Sequence, residues 1–392
     1  MIMTYRNKYW YFLAAIFTIA AKTHAMQPNS THSMITRSTA KALQSQQNSG
    51  KIIFSRPRED NQPQPIFEDS MARIKNAQNS IYINAPQITC KKLIEEITNA
   101  AQRGVNVQAT LNPRFPANRF VARELIKAGI GVRYVNNEHR KSLQTDKESS
   151  LESWNPTNLG LFGHNTEIMF KTKDKTIHQL LRDNNQAIDQ QHAFPSSING
   201  SPLPSSKVKK KIGSKKILEK TPARPTVINS TKHLLKESLL KRIKNSGAGS
   251  EIFVATMTID PDVIDTLDEA SKKGSQVNLF LPKTSVNQKN EASLKNANHM
   301  NIFIRPSQNY NTQHAKFFSV QRTGQQPISM IATSNFTENS NNEINNAIYL
   351  RDPNIHEDIK NQANKYKKQF IPFAELQKQS LPASRKRKLT HT

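Results

Sequence analysis

Two stretches of this 392-residue chain spell the same succession of elements, and that internal duplication restricts the fold more than any other feature of the sequence. The first runs from a helical segment ending Arg73-Ile74-Lys75-Asn76 into the strand Ser80-Ile81-Tyr82-Ile83, a helix from Lys91 to Arg103, and the strand Val105-Asn106-Val107. The second runs from Arg242-Ile243-Lys244-Asn245 into Glu251-Ile252-Phe253-Val254, a helix from Asp262 to Lys273, and the strand Val277-Asn278-Leu279. Short apolar runs alternating with amphipathic helical segments predict β-α-β units. Two copies of one unit predict two similar halves, and chemistry found in one half is expected to have a counterpart in the other.

That chemistry is clearest in the second copy, at Gln313-His314-Ala315-Lys316 and Ala332-Thr333-Ser334-Asn335. If Lys316 to Val320 and Ile328 to Ser334 are neighbouring strands, alternation puts His314 and Lys316 on one face and the hairpin returns Asn335 beside them. A neutral imidazole attacks phosphorus, an ammonium neutralises phosphate charge, and a carboxamide donates a hydrogen bond without competing as a nucleophile. The first copy holds His139-Arg140-Lys141, then Asp146, then Ser153-Trp154-Asn155. Glu167 follows Asn155 by twelve residues, and Ala347 follows Asn335 by twelve, so the count makes Ala347 the counterpart of Glu167.

At these residues the chain resembles the phospholipase D superfamily, whose duplicated motif reads His-x-Lys, four residues, Asp, about six residues, then Gly-Ser-x-Asn. The stretches Lys51 to Pro57, Ala77 to Ile88 and Ala101 to Val105 also look like the start of such a domain, and the resemblance covers roughly residues 51 to 185 and 228 to 370. It implies an α/β fold of two similar α/β/α halves, each a mixed β-sheet flanked by helices, related by a pseudo-two-fold axis. It implies that His139, Lys141, Asn155, His314, Lys316 and Asn335 surround one phosphate as catalytic residues, supported by Asp146, Ser153, Glu167 and Thr333. Hydrolysis would then run through a phosphohistidine, one histidine attacking phosphorus while the other protonates the leaving oxygen and later activates water. Glu167 is expected to orient His139, which makes His139 the nucleophile and His314 the acid, with Asp146 structural.

The chain also departs from that motif. Gln321 stands where the family has Asp, Ala332-Thr333 stands for Gly-Ser, Glu152 replaces Gly, and Asn155 falls one residue early. The segment Ser142 to Glu152 is polar and predicts no buried strand of the kind that Phe317-Phe318-Ser319-Val320 predicts.

Charge narrows the partner. With 56 Lys and Arg against 30 Asp and Glu the chain carries a formal +26, which favours a polyanion: nucleic acid, or an anionic phospholipid surface with peripheral membrane contact. The site type names the phosphodiester bond and not the molecule that bears it, so both substrate classes stay open, as does the oligomeric state. A basic polyanion-binding protein with a degenerate first half-site is the reading from another class. Cys90 is the one cysteine, so no intramolecular disulfide forms, and no cysteine-based or His-Glu-x-x-His metal site is visible. No metal or cofactor is expected, and His164, His178 and His192 are expected in surface roles.

Outside the repeats the chain changes character. Arg6 and Lys8 precede the apolar run Tyr9 to Ala21 and the small-residue stretch Thr23-His24-Ala25, the pattern of an export signal whose apolar run is short for a membrane span. The expected order is a signal peptide at 1–25, a flexible segment at 26–50, the first half at 51–185, a basic Pro-containing linker at 186–227, the second half at 228–375 and a basic tail at 376–392. The linker carries Lys207 to Lys211, and the tail carries Arg385-Lys386-Arg387-Lys388. A secreted or periplasmic location follows from the signal.

Overall fold

The duplication folds into two eight-stranded sheets with one strand order. The computed structural model describes residues 50–55, 64–157, 165–197, 200–201, 226–230, 234–306, 313–338, 340 and 343–379. The expected signal, flexible lead, most of the linker and the basic tail, as well as His164, lie outside the described residues.

The first half contributes β1 (Lys51–Phe54), β2 (Ser80–Ala85), β3 (Asn106–Leu111), β4 (Gly131–Val135), β5 (Ser142–Thr145), β6 (Ser149–Glu152), β7 (Ile168–Thr172) and β8 (Ala193–Pro195). The second contributes β9 (Thr226–Ser230), β10 (Glu251–Ala255), β11 (Gln276–Pro282), β12 (Asn301–Arg305), β13 (Phe317–Gln321), β14 (Ile328–Ala332), β15 (Asn345–Leu350) and β16 (Ile371–Pro372). The sheets run β1-β7-β6-β5-β2-β3-β4-β8 and β9-β15-β14-β13-β10-β11-β12-β16, so each strand has a counterpart at the same place. In each, the three central strands that alternate with helices pair in parallel, and the remaining pairs are antiparallel. Each half is therefore a mixed α/β sheet flanked by helices.

Strand alternation feeds separate cores. Ile252 and Val254 of β10 join Phe318 and Val320 of β13 in the second half's own core under the helices Leu234–Lys244 and Pro261–Lys272. Phe253, Ala255 and Phe317 face the other way, into a shared core with Ile52, Leu151 and Phe170 of the first half. Apolar residues on both faces are what a strand buried on both sides requires. The helices Lys175–His192 and Pro353–Gln369 also reach this shared core, through Ile177 and Leu181 and through Ile355, Ile359 and Tyr366. Both begin alike: Asp174 accepts from the Ile177 amide and Asp352 from the Asn354 amide, each satisfying a helix-end donor.

Two expectations need correction. The helix Lys175–His192 continues past residue 186, burying Ile188, and β8 follows it onto the sheet edge, so the first half extends beyond its expected end at 185. The second half likewise runs on through a helix to Gln379. The polar stretch Ser142–Glu152, expected to lack a buried strand, forms the hairpin β5–β6, both strands of which are buried. Its polar side chains meet buried partners brought from far along the chain. Arg73 donates to the Leu143 carbonyl at 3.3 Å, to Ser150 Oγ at 2.8 Å and to Glu152 at 3.1 Å. Ser142 Oγ donates to Asn84 Oδ1 and accepts from Asn185 Nδ2, and Ser149 Oγ bonds Nδ1 of His178. A polar strand survives burial when most of its polar groups are paired, here all but such atoms as Gln144 Nε2, and local periodicity cannot reveal such partners.

Candidate active site

The two sheets meet where their His-x-Lys segments cross. Asn137 adopts a left-handed φ of 60°, and its carbonyl accepts from the Ile344 amide while the His139 amide donates to the Ile344 carbonyl at 3.0 Å. The mirror contact joins the His314 amide to the Thr166 carbonyl at 3.0 Å. Each histidine is thus tied by its backbone to the opposite half. Side chains complete the crossing: His314 Nδ1 lies 2.8 Å from Glu167, and His139 Nδ1 lies 2.8 Å from Asn345 Oδ1.

The second-half counterpart of Glu167 is Asn345 and not Ala347. The Ser153 amide donates to the Ile168 carbonyl and Ser153 Oγ accepts from the Ile168 amide; the Thr333 amide donates to the Asn346 carbonyl and Thr333 Oγ1 accepts from the Asn346 amide. These matched pairs align Ser153 with Thr333, Asn155 with Asn335, and Glu167 with Asn345. Counting along the chain fails because Asn155 and Glu167 are twelve residues apart whereas Asn335 and Asn345 are ten. The hydroxyls also brace the orienting groups, Ser153 donating to Glu167 and Thr333 to Asn345. Glu167 therefore orients His314 and not His139, a correction to the sequence reading.

Hydrogen-bond roles fix the imidazoles. Asn345 Nδ2 donates to the Ser340 carbonyl at 3.0 Å, which turns Oδ1 toward His139 as an acceptor. His139 then donates from Nδ1 and carries its lone pair on Nε2, which lies 3.3 Å from the Lys141 ammonium. Glu167 imposes the same tautomer on His314. Burial, then the neighbouring Lys141, holds His139 well below the usual histidine range. Burial also lowers His314, with the Glu167 carboxylate opposing it. Burial alone would raise Glu167, but His314, Lys316 and Ser153 together hold it below the usual carboxyl range, so it stays ionised.

Lys141 and Lys316 are both buried, and each donates to the carbonyl of the histidine two residues before it, at 3.0 and 2.6 Å. Burial pulls Lys141 down to about 8 and Lys316 down to about 7; Glu343 opposes the fall at Lys141 and Glu167 opposes it at Lys316. Two ammonium groups held this way, with no carboxylate in direct contact among the described residues, form a seat for an anion. Arg140, between His139 and Lys141, points the other way and is fully buried against Glu138 and Asp189. It braces the strand and takes no part in that seat.

The remaining predicted residues occupy different surroundings. Asn155 Oδ1 is buried with no hydrogen-bond partner among the described residues, and Asn335 Oδ1 lies 3.5 Å from Thr256 Oγ1. Asp146 accepts from the amides of Gln78 and Asn79 at the far end of β5 and touches none of the site groups. Gln321 likewise spends its amide on the turn carbonyls of Arg322 and Gln325. His178 is held by Ser149, and Cys90 is buried ahead of the helix Lys91–Gln102. Sequence reasoning missed Asn345 and its neighbour Glu343, whose carboxylate lies 3.4 Å from His139 Nδ1. No motif in the sequence marks that register, which is set by the matched Ser153–Ile168 and Thr333–Asn346 pairing. Among the described residues no group of three or more His, Cys, Asp or Glu is arranged to hold a metal ion, and no helix is long and apolar enough to cross a membrane.

Crossed histidines, paired lysines and a duplicated sheet define a two-half phosphodiesterase site. A family model described as cardiolipin synthase, PLD-like domain, matches residues 71–188 and 239–367, and the chain belongs to this phospholipase D-like family. No curated protein sequence matches the chain. In fold it is similar to phosphatidylserine synthase from Haemophilus influenzae Rd KW20, at a TM-score of 0.61 and 12% identity over 85% of this chain and 91% of that one. It is also similar to polyphosphate kinase from Porphyromonas gingivalis, at a TM-score of 0.55 and 14% identity over 80% of this chain, and it spans 46% of the kinase.

Proposed function

We propose that the chain is an exported phosphodiesterase that cleaves phospholipid or nucleic-acid phosphodiesters through a phosphohistidine on His139. The observation that carries this reading is the crossed support of the two imidazoles: each Nδ1–H is held from the opposite half, which puts the lone pair of each ring on Nε2. His139 faces a neutral amide and stays unprotonated, which suits a nucleophile. His314 faces the ionised Glu167, which offsets part of the fall that burial imposes and makes it the more readily protonated of the two histidines, which suits a general acid.

In the first step His139 Nε2 bonds to phosphorus as the P–O bond to the leaving group breaks, and the leaving oxygen takes the proton from His314 Nε2. In the second, His314 removes a proton from water, the water oxygen bonds to phosphorus, and the P–N bond returns its electron pair to His139. Lys141 and Lys316 balance the charge on the non-bridging oxygens, and Asn155 and Asn335 supply carboxamide donors. The +26 charge draws anionic substrates, by the same attraction for anionic lipid as for nucleic acid. Export rests on the basic and apolar pattern of residues 1–25.

The test is hydrolysis of bis(p-nitrophenyl) phosphate, phosphatidylglycerol vesicles and DNA by wild type, His139→Ala and His314→Ala. Loss of turnover in both variants is expected, with an acid-labile phosphoryl adduct trapped on wild type and absent from His139→Ala. An adduct that survives in His139→Ala would move the nucleophile to His314, and unchanged turnover in either variant would remove the mechanism.

A further inference from the structure

The two halves carry the same pair of residue types, an Asn and a Glu two residues apart, in exchanged positions. The first reads Asn165-Thr166-Glu167 and the second Glu343-Ile344-Asn345, with Thr166 and Ile344 making the matched backbone contacts to His314 and His139. The carboxylate that sits beside His314 in one half has moved two residues upstream in the other, and positions two apart share a face of an extended segment. Glu343 Oε2 remains 3.4 Å from His139 Nδ1, and it lies 3.5 Å from Asn345 Nδ2.

We propose that Glu343 is the positioning residue that supplies His139 with the negative charge its direct partner Asn345 lacks. The proposal rests on the hydrolytic reading above. Asn345 fixes the direction of the Nδ1–H, but a neutral carboxamide does little to balance the positive charge that spreads over the ring when Nε2 bonds to phosphorus. Glu343 answers that charge. It acts among other charged groups: Lys141, Lys316 and His314 bear on His139, and Lys141, Lys316 and Arg114 bear on Glu343. Its side chain is 38% exposed against 4% for Glu167, so its field is screened more by water and its influence is weaker than that of Glu167 on His314.

The experiment uses the full chain in three forms: wild type, Glu343→Gln, and Glu343→Gln combined with Asn345→Asp, which returns a carboxylate to the position Glu167 holds in the other half. Histidine side-chain nitrogen NMR follows the His139 titration, and steady-state kinetics on bis(p-nitrophenyl) phosphate are run in parallel. Glu343→Gln is expected to lower the His139 pKa and to reduce kcat by about tenfold with little change in KM. The double variant is expected to raise the His139 pKa again and to recover most of kcat. A His139 titration unchanged by Glu343→Gln, or a double variant that recovers nothing, would overturn the proposal. The arms separate the two readings, since a wild type without turnover removes the hydrolytic reading while the titration still decides whether Glu343 acts on His139.

Discussion

Glu167 accepts the Nδ1–H of His314 at 2.8 Å from the opposite half of the molecule, and Asn345 holds His139 in the mirror arrangement at the same distance. Neither half contains a complete site. The carboxylate and the carboxamide give the two histidines different charge environments, and the proposed division into acid and nucleophile rests on that inequality.

Replacing Glu167 by Gln keeps the side chain's shape and removes its charge. Turnover of bis(p-nitrophenyl) phosphate is expected to fall by about 10²-fold or more, the scale on which a correctly placed acid or base contributes. The loss should be largest at high pH, where His314 holds its proton least well without the carboxylate. A pH–rate profile unchanged in shape and height would show that Glu167 only fills space.

Phosphate binding should take up protons. Burial pulls Lys141 down to about 8 and Lys316 down to about 7, and a bound anion favours their charged forms. Affinity for inorganic phosphate is therefore expected to fall as pH rises through about 7 to 8, with net proton uptake across that window. In stability the sign is opposite: the unfolded lysines hold protons up to their ordinary value, so between about 7 and 10.5 the unfolded state binds more protons and these groups favour folding increasingly as pH rises. Calorimetry of phosphate binding in buffers of different ionisation enthalpy checks the uptake, and Lys316→Met should remove its lower-pH part.

Arg73 supports the polar hairpin and touches none of the catalytic groups. Arg73→Ala leaves Glu152 buried without its cation and is expected to destabilise the fold by about 3–5 kcal/mol. Urea denaturation reads this directly as a lower midpoint. A midpoint within error of wild type would mean that the hairpin satisfies its polar groups by other means.

Turnover is expected to persist in excess EDTA, because every assigned role belongs to a histidine, lysine, asparagine or carboxylate of the chain. Activity abolished by EDTA and restored by a divalent cation would assign activation of water or stabilisation of the leaving group to a metal ion.

Sequence alone determined the two halves and the His-x-Lys pairs and marked Ser153 and Thr333 as supporting residues, because each rests on local periodicity or on a short motif. Tertiary structure decided what each histidine faces. Glu167 and His314 are 147 residues apart and Asn345 and His139 are 206, and no spacing rule relates them. Loop length defeated the count that pointed to Ala347, since the register of β15 is set by its pairing with β14 and not by distance from Asn335. The hairpin β5–β6 was illegible for a related reason: hydrophobic pattern reports burial only when a strand is apolar, and this one is held by hydrogen bonds to Arg73, Asn84, His178 and Asn185 from distant parts of the chain.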